Sequence, residues 1–236
     1  MPIINQIVKG GGSPAPALYR EFQLDANGVL QPNTTTTHIM DFTGMTDVSD
    51  YALACAYINN TAISGAVDMS DLTTISGSNA CNNMFYGCTG ITSANLSALT
   101  TITGGSACGS MFRNCTGLTS FDLSALTTLS QPNTCNNMFY GCTGITSANL
   151  SALTTITGGS ACSGMFSGCT SLATVYIGGT TAINFGTRTS QFQNMFSGCA
   201  QNIDVYAPAA NQTAIEAFSG YPNFGGTGTV TWNWQS

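Results

Sequence analysis

CNNMFYGCTGITSANLSALTTITGGSAC occupies residues 81–108 and returns, letter for letter, at residues 135–162. Between the two copies lies a diverged third. Cys81, Cys108, Cys135 and Cys162 are spaced 27 residues apart, and Cys88, Cys115, Cys142 and Cys169 form a second series with the same step. A fixed period of this length is the signature of stacked coils, each leaning only on its neighbours.

Each residue class returns at a fixed offset, so the coil can be read position by position. In Ala94-Asn95-Leu96, alternation sends Ala94 and Leu96 to one side and Asn95 to the other, as a half-buried strand requires. One inward ladder runs Met40, Val67, Ala94, Phe121, Ala148, Val175, Val205, and the next runs Phe42, Met69, Leu96, Leu123, Leu150, Ile177, Ala207. These predict seven rungs of one parallel sheet. Leu99 and Ile102, Leu126 and Leu129, and Leu153 and Ile156 turn inward as the chain rounds the coil. Cys81, Met84, Phe85 and Cys88 then sit at i, i+3, i+4 and i+7, which predicts a short helical arc with one buried face.

The units MFYGCTGITSANLSALTTI and MFRNCTGLTSFDLSALTTL, with MFSGCTSL at residues 165–172, resemble the BspA-like leucine-rich-repeat surface proteins. The resemblance extends from about Met40 to Pro208, and VYAPAANQTAIEAF looks like the closing segment of such arrays. It implies an α/β leucine-rich-repeat solenoid of 27-residue period, with a parallel β-sheet on one face and short helical arcs on the other. Proteins of this family are commonly adhesins of bacterial surfaces, and similar arrays occur in genomes of gut bacteriophages. The family has no catalytic motif to carry over.

The chain has 236 residues, 43% of them hydrophobic and only 6% charged, enough for one ordered solenoid with an appended arm. Between Leu72 and Ile203 the only charged side chains are Arg113, Asp122 and Arg188, so the array offers water Ser, Thr, Asn, Gly and Tyr. A net charge of −6 argues against binding a phosphate backbone, and nucleic acid is not expected as a partner. No run approaches the roughly 18 apolar residues of a membrane span.

Four regions follow: an anchoring arm and linker at 1–17, a β-hairpin cap at 18–39, the solenoid at 40–208 and a C-terminal cap at 209–236. Residues 1–8, MPIINQIV, lack the basic and uninterrupted apolar regions of a signal peptide. They are followed by KGGGSPAPA, a linker that is flexible first and extended second. Ile3, Ile4, Ile7 and Val8 cannot bury themselves from the end of such a tether, but a sheet edge or groove on another subunit could take them. A frayed terminus is the competing reading. In the hairpin cap, LYREFQLDANGVLQPN places an Asn27-Gly28 turn between two short strands. The C-terminal cap pairs a short helix over 212–218 with a final strand over 227–234, whose Trp232 and Trp234 share one face. Packing over the core end is preferred to a ligand platform for those two rings.

Ten cysteines do not make a disulfide framework here. On a helical arc Cys81 and Cys88 would be about 10.5 Å apart along the axis, and equivalent thiols of adjacent arcs about 8–10 Å apart, both beyond disulfide reach. Flatter arcs at strand spacing would bring the equivalent thiols within reach. Free buried thiols are favoured, acting as small apolar residues. No CxxC pair suggests a metal site, and no cofactor is expected.

No catalytic residue is expected. His38 is the sole histidine, no nucleophile motif such as GxSxG is present, and Glu21 and Glu216 stand near opposite ends of the chain. The outward ladder is Asp41, Asp68, Asn95, Asp122, Asn149, Tyr176, Tyr206, beside a second row of Ser93, Ser120, Ser147, Thr174 and Asp204. Calcium could bridge Asp41 and Asp68, but too few further oxygen ligands are identifiable. Asp68, Ser93, Asn95, Ser120, Asp122, Ser147, Asn149, Thr174, Tyr176 and Tyr206 form the candidate ligand-binding face, because Asn, Ser and Tyr on a rigid sheet match the composition of paratopes. A solvated polar face carries equal weight.

These features favour a structural and adhesive protein of a bacteriophage virion: a head decoration, or a tail or fibre component. Its arm would dock on other virion proteins, and its solenoid would meet a host-surface protein or glycan at the virion surface. The alternative is an adhesin of the bacterial cell surface. No coiled coil or trimer seam is visible, and an oligomer is compatible with the sequence.

Overall fold

The computed structural model describes residues 42–48, 53–199 and 201–236. The arm, the hairpin cap, His38, Met40 and Asp41 lie outside the described residues.

Each coil contributes two strands, and the strands form ladders along the stack. On one flank lie β1 (Asp47–Val48), β3 (Thr74–Ile75), β5 (Thr101–Ile102), β7 (Thr128–Leu129) and β9 (Thr155–Ile156), parallel and paired in that order. On the next lie β2 (Ser64–Asp68), β4 (Gly90–Asn95), β6 (Ser120–Asp122), β8 (Ser147–Leu150), β10 (Thr174–Ile177) and β11 (Ile203–Pro208). The register is the one the repeat predicts: Ala94 pairs with Phe121 and Asn95 with Asp122, while Tyr176 pairs with Asn149 on one side and Tyr206 on the other. The chain is a parallel β-solenoid of 27-residue period.

The wide face is two sheets rather than one: β2, β4 and β6 form the first, and β8, β10, β11 and the C-terminal β12 (Val230–Gln235) form the second. The interruption falls between β6 and β8, where the inward position holds Phe121 instead of the alanine of the flanking coils, Ala94 and Ala148. The Phe121 ring stacks on Phe139 of the following coil at 4.2 Å and remains partly exposed, wedging where two alanines would let the strands close.

The third flank corrects the predicted helical arcs. From Cys81 to Cys88 the chain is a ribbon of turns. The amides of Asn82, Met84, Tyr86 and Cys88 donate to carbonyls three residues back, while those of Cys81, Asn83, Phe85 and Gly87 donate to Ala107, Gly109, Met111 and Arg113 of the next coil. Every fourth residue is left-handed, with φ of 54° at Asn79, 53° at Asn83 and 72° at Gly87. Asn and Gly tolerate that region best, and a helix cannot pass through it. The ribbon still turns Cys81, Met84, Phe85 and Cys88 inward, so the apolar spacing alone could not separate it from a helix. The described helix is α1 (Gln212–Glu216), in the C-terminal cap.

Inter-coil hydrogen bonds on all three flanks draw the coils to strand-like spacing, and side chains stack accordingly. Tyr57, Phe85, Phe112, Phe139 and Phe166 form one column of near-parallel rings with successive centroids 5.2, 5.3, 5.8 and 5.8 Å apart. Each is buried, a burial worth about 1.5–3 kcal/mol for a phenylalanine. Outside the core, Thr73, Thr100 and Thr127 donate their hydroxyls to the carbonyls of Thr46, Thr73 and Thr100, 27 residues back.

All ten cysteines are free. Cys88, Cys115, Cys142 and Cys169 donate to the carbonyls of Tyr57, Phe85, Phe112 and Phe139 at 2.9–3.1 Å. That explains the residue type: a small side chain with a weak donor fits a position facing a carbonyl of the previous coil. Burial pushes the thiols of Cys81 and Cys88 up to about 12. A hydrogen bond with Cys135, then burial, raises Cys108 well above the ordinary range.

At the C-terminus β12 pairs in parallel with β11, extending the wide face by one strand. Trp232 and Trp234 align with the inward Val205 and Ala207, stack at 5.4 Å and lie half-buried against the core. Trp232 Nε1 donates to the carbonyl of Pro222 at 3.0 Å.

Candidate functional site

The outward positions of the wide face are built from a recurring strand end. Asp68, Asn95, Asp122 and Asn149 each accept, through Oδ1, the amide of the residue two ahead: Ser70, Ser97, Ser124 and Ser151, at 2.9–3.1 Å. These are Asx turns, in which a short polar side chain substitutes for a backbone carbonyl and ends the strand. The row of Asp and Asn is therefore first a device for turning each coil. In the first sheet its spare capacity is used laterally as well, since Asn95 Nδ2 donates to Asp68 Oδ1 of the previous coil at 3.1 Å. Asp122 Oδ1 also takes the hydroxyl of Ser124 at 2.6 Å.

The ten predicted face residues do lie on the wide face, but they divide at the break between β6 and β8. Asp68, Ser93, Asn95, Ser120 and Asp122 belong to the first sheet; Ser147, Asn149, Thr174, Tyr176 and Tyr206 belong to the second. Only in the second does the outward row become aromatic. Tyr176 and Tyr206 stack with centroids 4.8 Å apart and planes 17° apart, and Tyr176 is 38% exposed, the exposed large hydrophobic among the described residues. On its other side Tyr176 faces the shorter Asn149, and a depression opens there, lined by Ser147, Ala148, Asn149, Ser151 and Tyr176.

Sequence reasoning missed Ser151 because it lies past the strand, at the turn that Asn149 creates. It also missed a feature of the turn-ribbon flank, where the Arg113 guanidinium lies 4.1 Å from the ring centre of Tyr140 and 5.8 Å from that of Tyr86. The signal was legible: MFRNC stands between two copies of MFYGC, so a cation is inserted into a column of tyrosines. Asp41, the other carboxylate of the calcium bridge weighed above, lies outside the described residues, and among the described residues no group of three or more His, Cys, Asp or Glu could hold a metal ion. Among the same residues no helix is long and apolar enough to cross a membrane.

No protein-family model matches the chain, and no curated protein matches it. Among solved structures it is similar to a leucine-rich repeat protein from Bacteroides ovatus ATCC 8483, at 16% identity and a TM-score of 0.31, over 80% of this chain and 52% of that one. The chain thus spans about half the length of that protein. The fold stated above rests on the register and hydrogen bonding of this chain's own coils.

Proposed function

We propose that this chain is a non-enzymatic structural and adhesive protein of a bacteriophage virion, a head decoration or a tail or fibre component. Residues 1–17 hold it to other virion proteins through Ile3, Ile4, Ile7 and Val8, and the solenoid presents its wide face to a host-surface protein or glycan. The observation that supports recognition is the stacked, outward Tyr176–Tyr206 pair on a charge-poor face whose neighbouring outward residues in the second sheet are Ser147, Asn149 and Thr174, with Asp204 beside them. Rigid tyrosines give contact area at low entropic cost, and small polar residues around them adapt their hydrogen bonds to a partner. The support for assembly comes from the sequence: an apolar octapeptide on a Gly/Pro tether has no core of its own to join.

Both halves are tested on particles. Removing residues 1–12 should leave the solenoid folded by circular dichroism and eliminate its incorporation, as should Ile4→Asp combined with Ile7→Asp, which puts charges into an apolar groove. Normal occupancy of the truncated protein would refute anchoring by the arm and favour a bacterial cell-surface adhesin.

A further inference from the structure

We propose that the step beside Tyr176 is a binding site for one neutral pyranose residue. This rests on the reading of the wide face as a recognition surface and names the chemistry of its ligand. One face of the Tyr176 ring is covered by Tyr206 at 4.8 Å, and the other overlooks the depression above Asn149. An aromatic face carries partial negative charge. The flat face of a pyranose presents C–H groups of slightly positive character, so the two surfaces match in shape and sign. Tyr206 backs the ring and holds it upright, which lowers the entropy lost on stacking.

The floor supplies the polar half of the match. Asn149 Oδ1 is held by the amide of Ser151 at 3.1 Å, which fixes the side chain and leaves Nδ2 pointing away from that bond as a donor. At the equivalent place in the first sheet, Asn95 spends its Nδ2 on Asp68. No such bond joins Asn149 to Asp122: β8 is not paired with β6, and Asp122 Oδ1 takes both the amide and the hydroxyl of Ser124. The Phe121 wedge therefore leaves one amide donor of the row without a protein partner among the described residues, directly beside an open aromatic face. The hydroxyls of Ser147 and Ser151 can each donate and accept, as sugar hydroxyls require. Charge selects against acidic sugars: Asp204, on β11 in register with Thr174, is the charged side chain of this part of the face.

Saturation-transfer NMR on the full chain would use four probes, the methyl glycosides of glucose, galactose, mannose and N-acetylglucosamine. At least one should show saturable transfer concentrated on its ring C–H protons, and methyl glucuronide should bind more weakly than methyl glucoside. Tyr176→Asn introduces the residue this ladder already carries at 95 and 149, so the coil should keep its fold while affinity falls about tenfold or more. Asn149→Asp keeps the turn acceptor but loses the donor, and should weaken binding about fivefold to tenfold. Tyr86→Asn, on the turn-ribbon flank, should leave binding unchanged. Transfer that survives Tyr176→Asn, or no saturable transfer with any of the four glycosides, overturns the assignment. If the latter protein still adheres to host surfaces, the broader recognition role stands and the sugar site alone falls.

Discussion

At the scale of single residues, the left-handed positions of the turn ribbon govern how the coil closes. Asn137 has φ of 53°, and a Cβ at Gly164 in the next coil would collide with the Asn137 side chain. Asn137→Gly should be nearly neutral in urea unfolding, whereas Asn137→Val, with a branched side chain in that region, should cost about 1–2 kcal/mol. Gly104 answers to a different constraint: its φ is ordinary, but a Cβ there would meet the carbonyl of Gly77 in the previous coil. The buried thiols make a second residue-scale prediction. Their ordinary value is 9.0, and burial holds Cys81 at about 12 in the folded protein, so the native state keeps a proton that the unfolded chain gives up. The sign follows from linkage: this stabilisation is fully present below about pH 9 and is lost as pH rises through about 12, at about 1.4 kcal/mol per pH unit for a thiol. Urea midpoints under reductant should fall between pH 9 and pH 11, and less steeply in Cys81→Ala. Native protein should likewise react slowly with a thiol reagent and release nearly all of its thiols on denaturation.

At the scale of elements, the phenylalanine column is the spine and Phe121 is its exception. Phe112→Ala removes a buried ring stacked between Phe85 and Phe139 and should cost about 3–5 kcal/mol by chemical denaturation. Phe121→Ala should cost less, since that ring is partly exposed, and it should slow amide exchange in β8 by letting the strand pair with β6. The strands, their register and the inward and outward rows were legible in the sequence because period-2 alternation combined with a 27-residue repeat leaves one consistent register. The ribbon was not read, because Cys81, Met84, Phe85 and Cys88 satisfy a helix and a ribbon of four-residue turns equally. The distinguishing letters were Asn79, Asn83 and Gly87, spaced four apart with Ser, Asn or Gly at the matching places of later coils. Nor was the split of the wide face visible in advance: Phe121 is as apolar as Ala94, and only its volume parts the sheet. The candidate site was legible as a row, but the Asx-turn duty of Asn149 and the freedom of its Nδ2 depend on which neighbours pair.

At the scale of the whole molecule, the coil is a removable unit. Deleting residues 108–134 takes out one period together with Phe121 and brings Ala94 beside Ala148 and Asn95 beside Asn149. The shortened chain should fold, with a smaller urea m-value in proportion to the surface lost, and its wide face should become one continuous sheet. An unfolded deletion variant would show that the coil boundary has been drawn in the wrong place. The hydrogen bonds that join coils on all three flanks also have a mechanical meaning. They lie along the stacking direction, so a load applied between the two ends of the solenoid pulls the outermost coil away from its neighbour and leaves the rest intact. Each detached coil of 27 residues releases up to about 90 Å of slack before the next one carries the tension. A tether built this way yields in equal steps instead of snapping, and it rewinds from whatever coils remain.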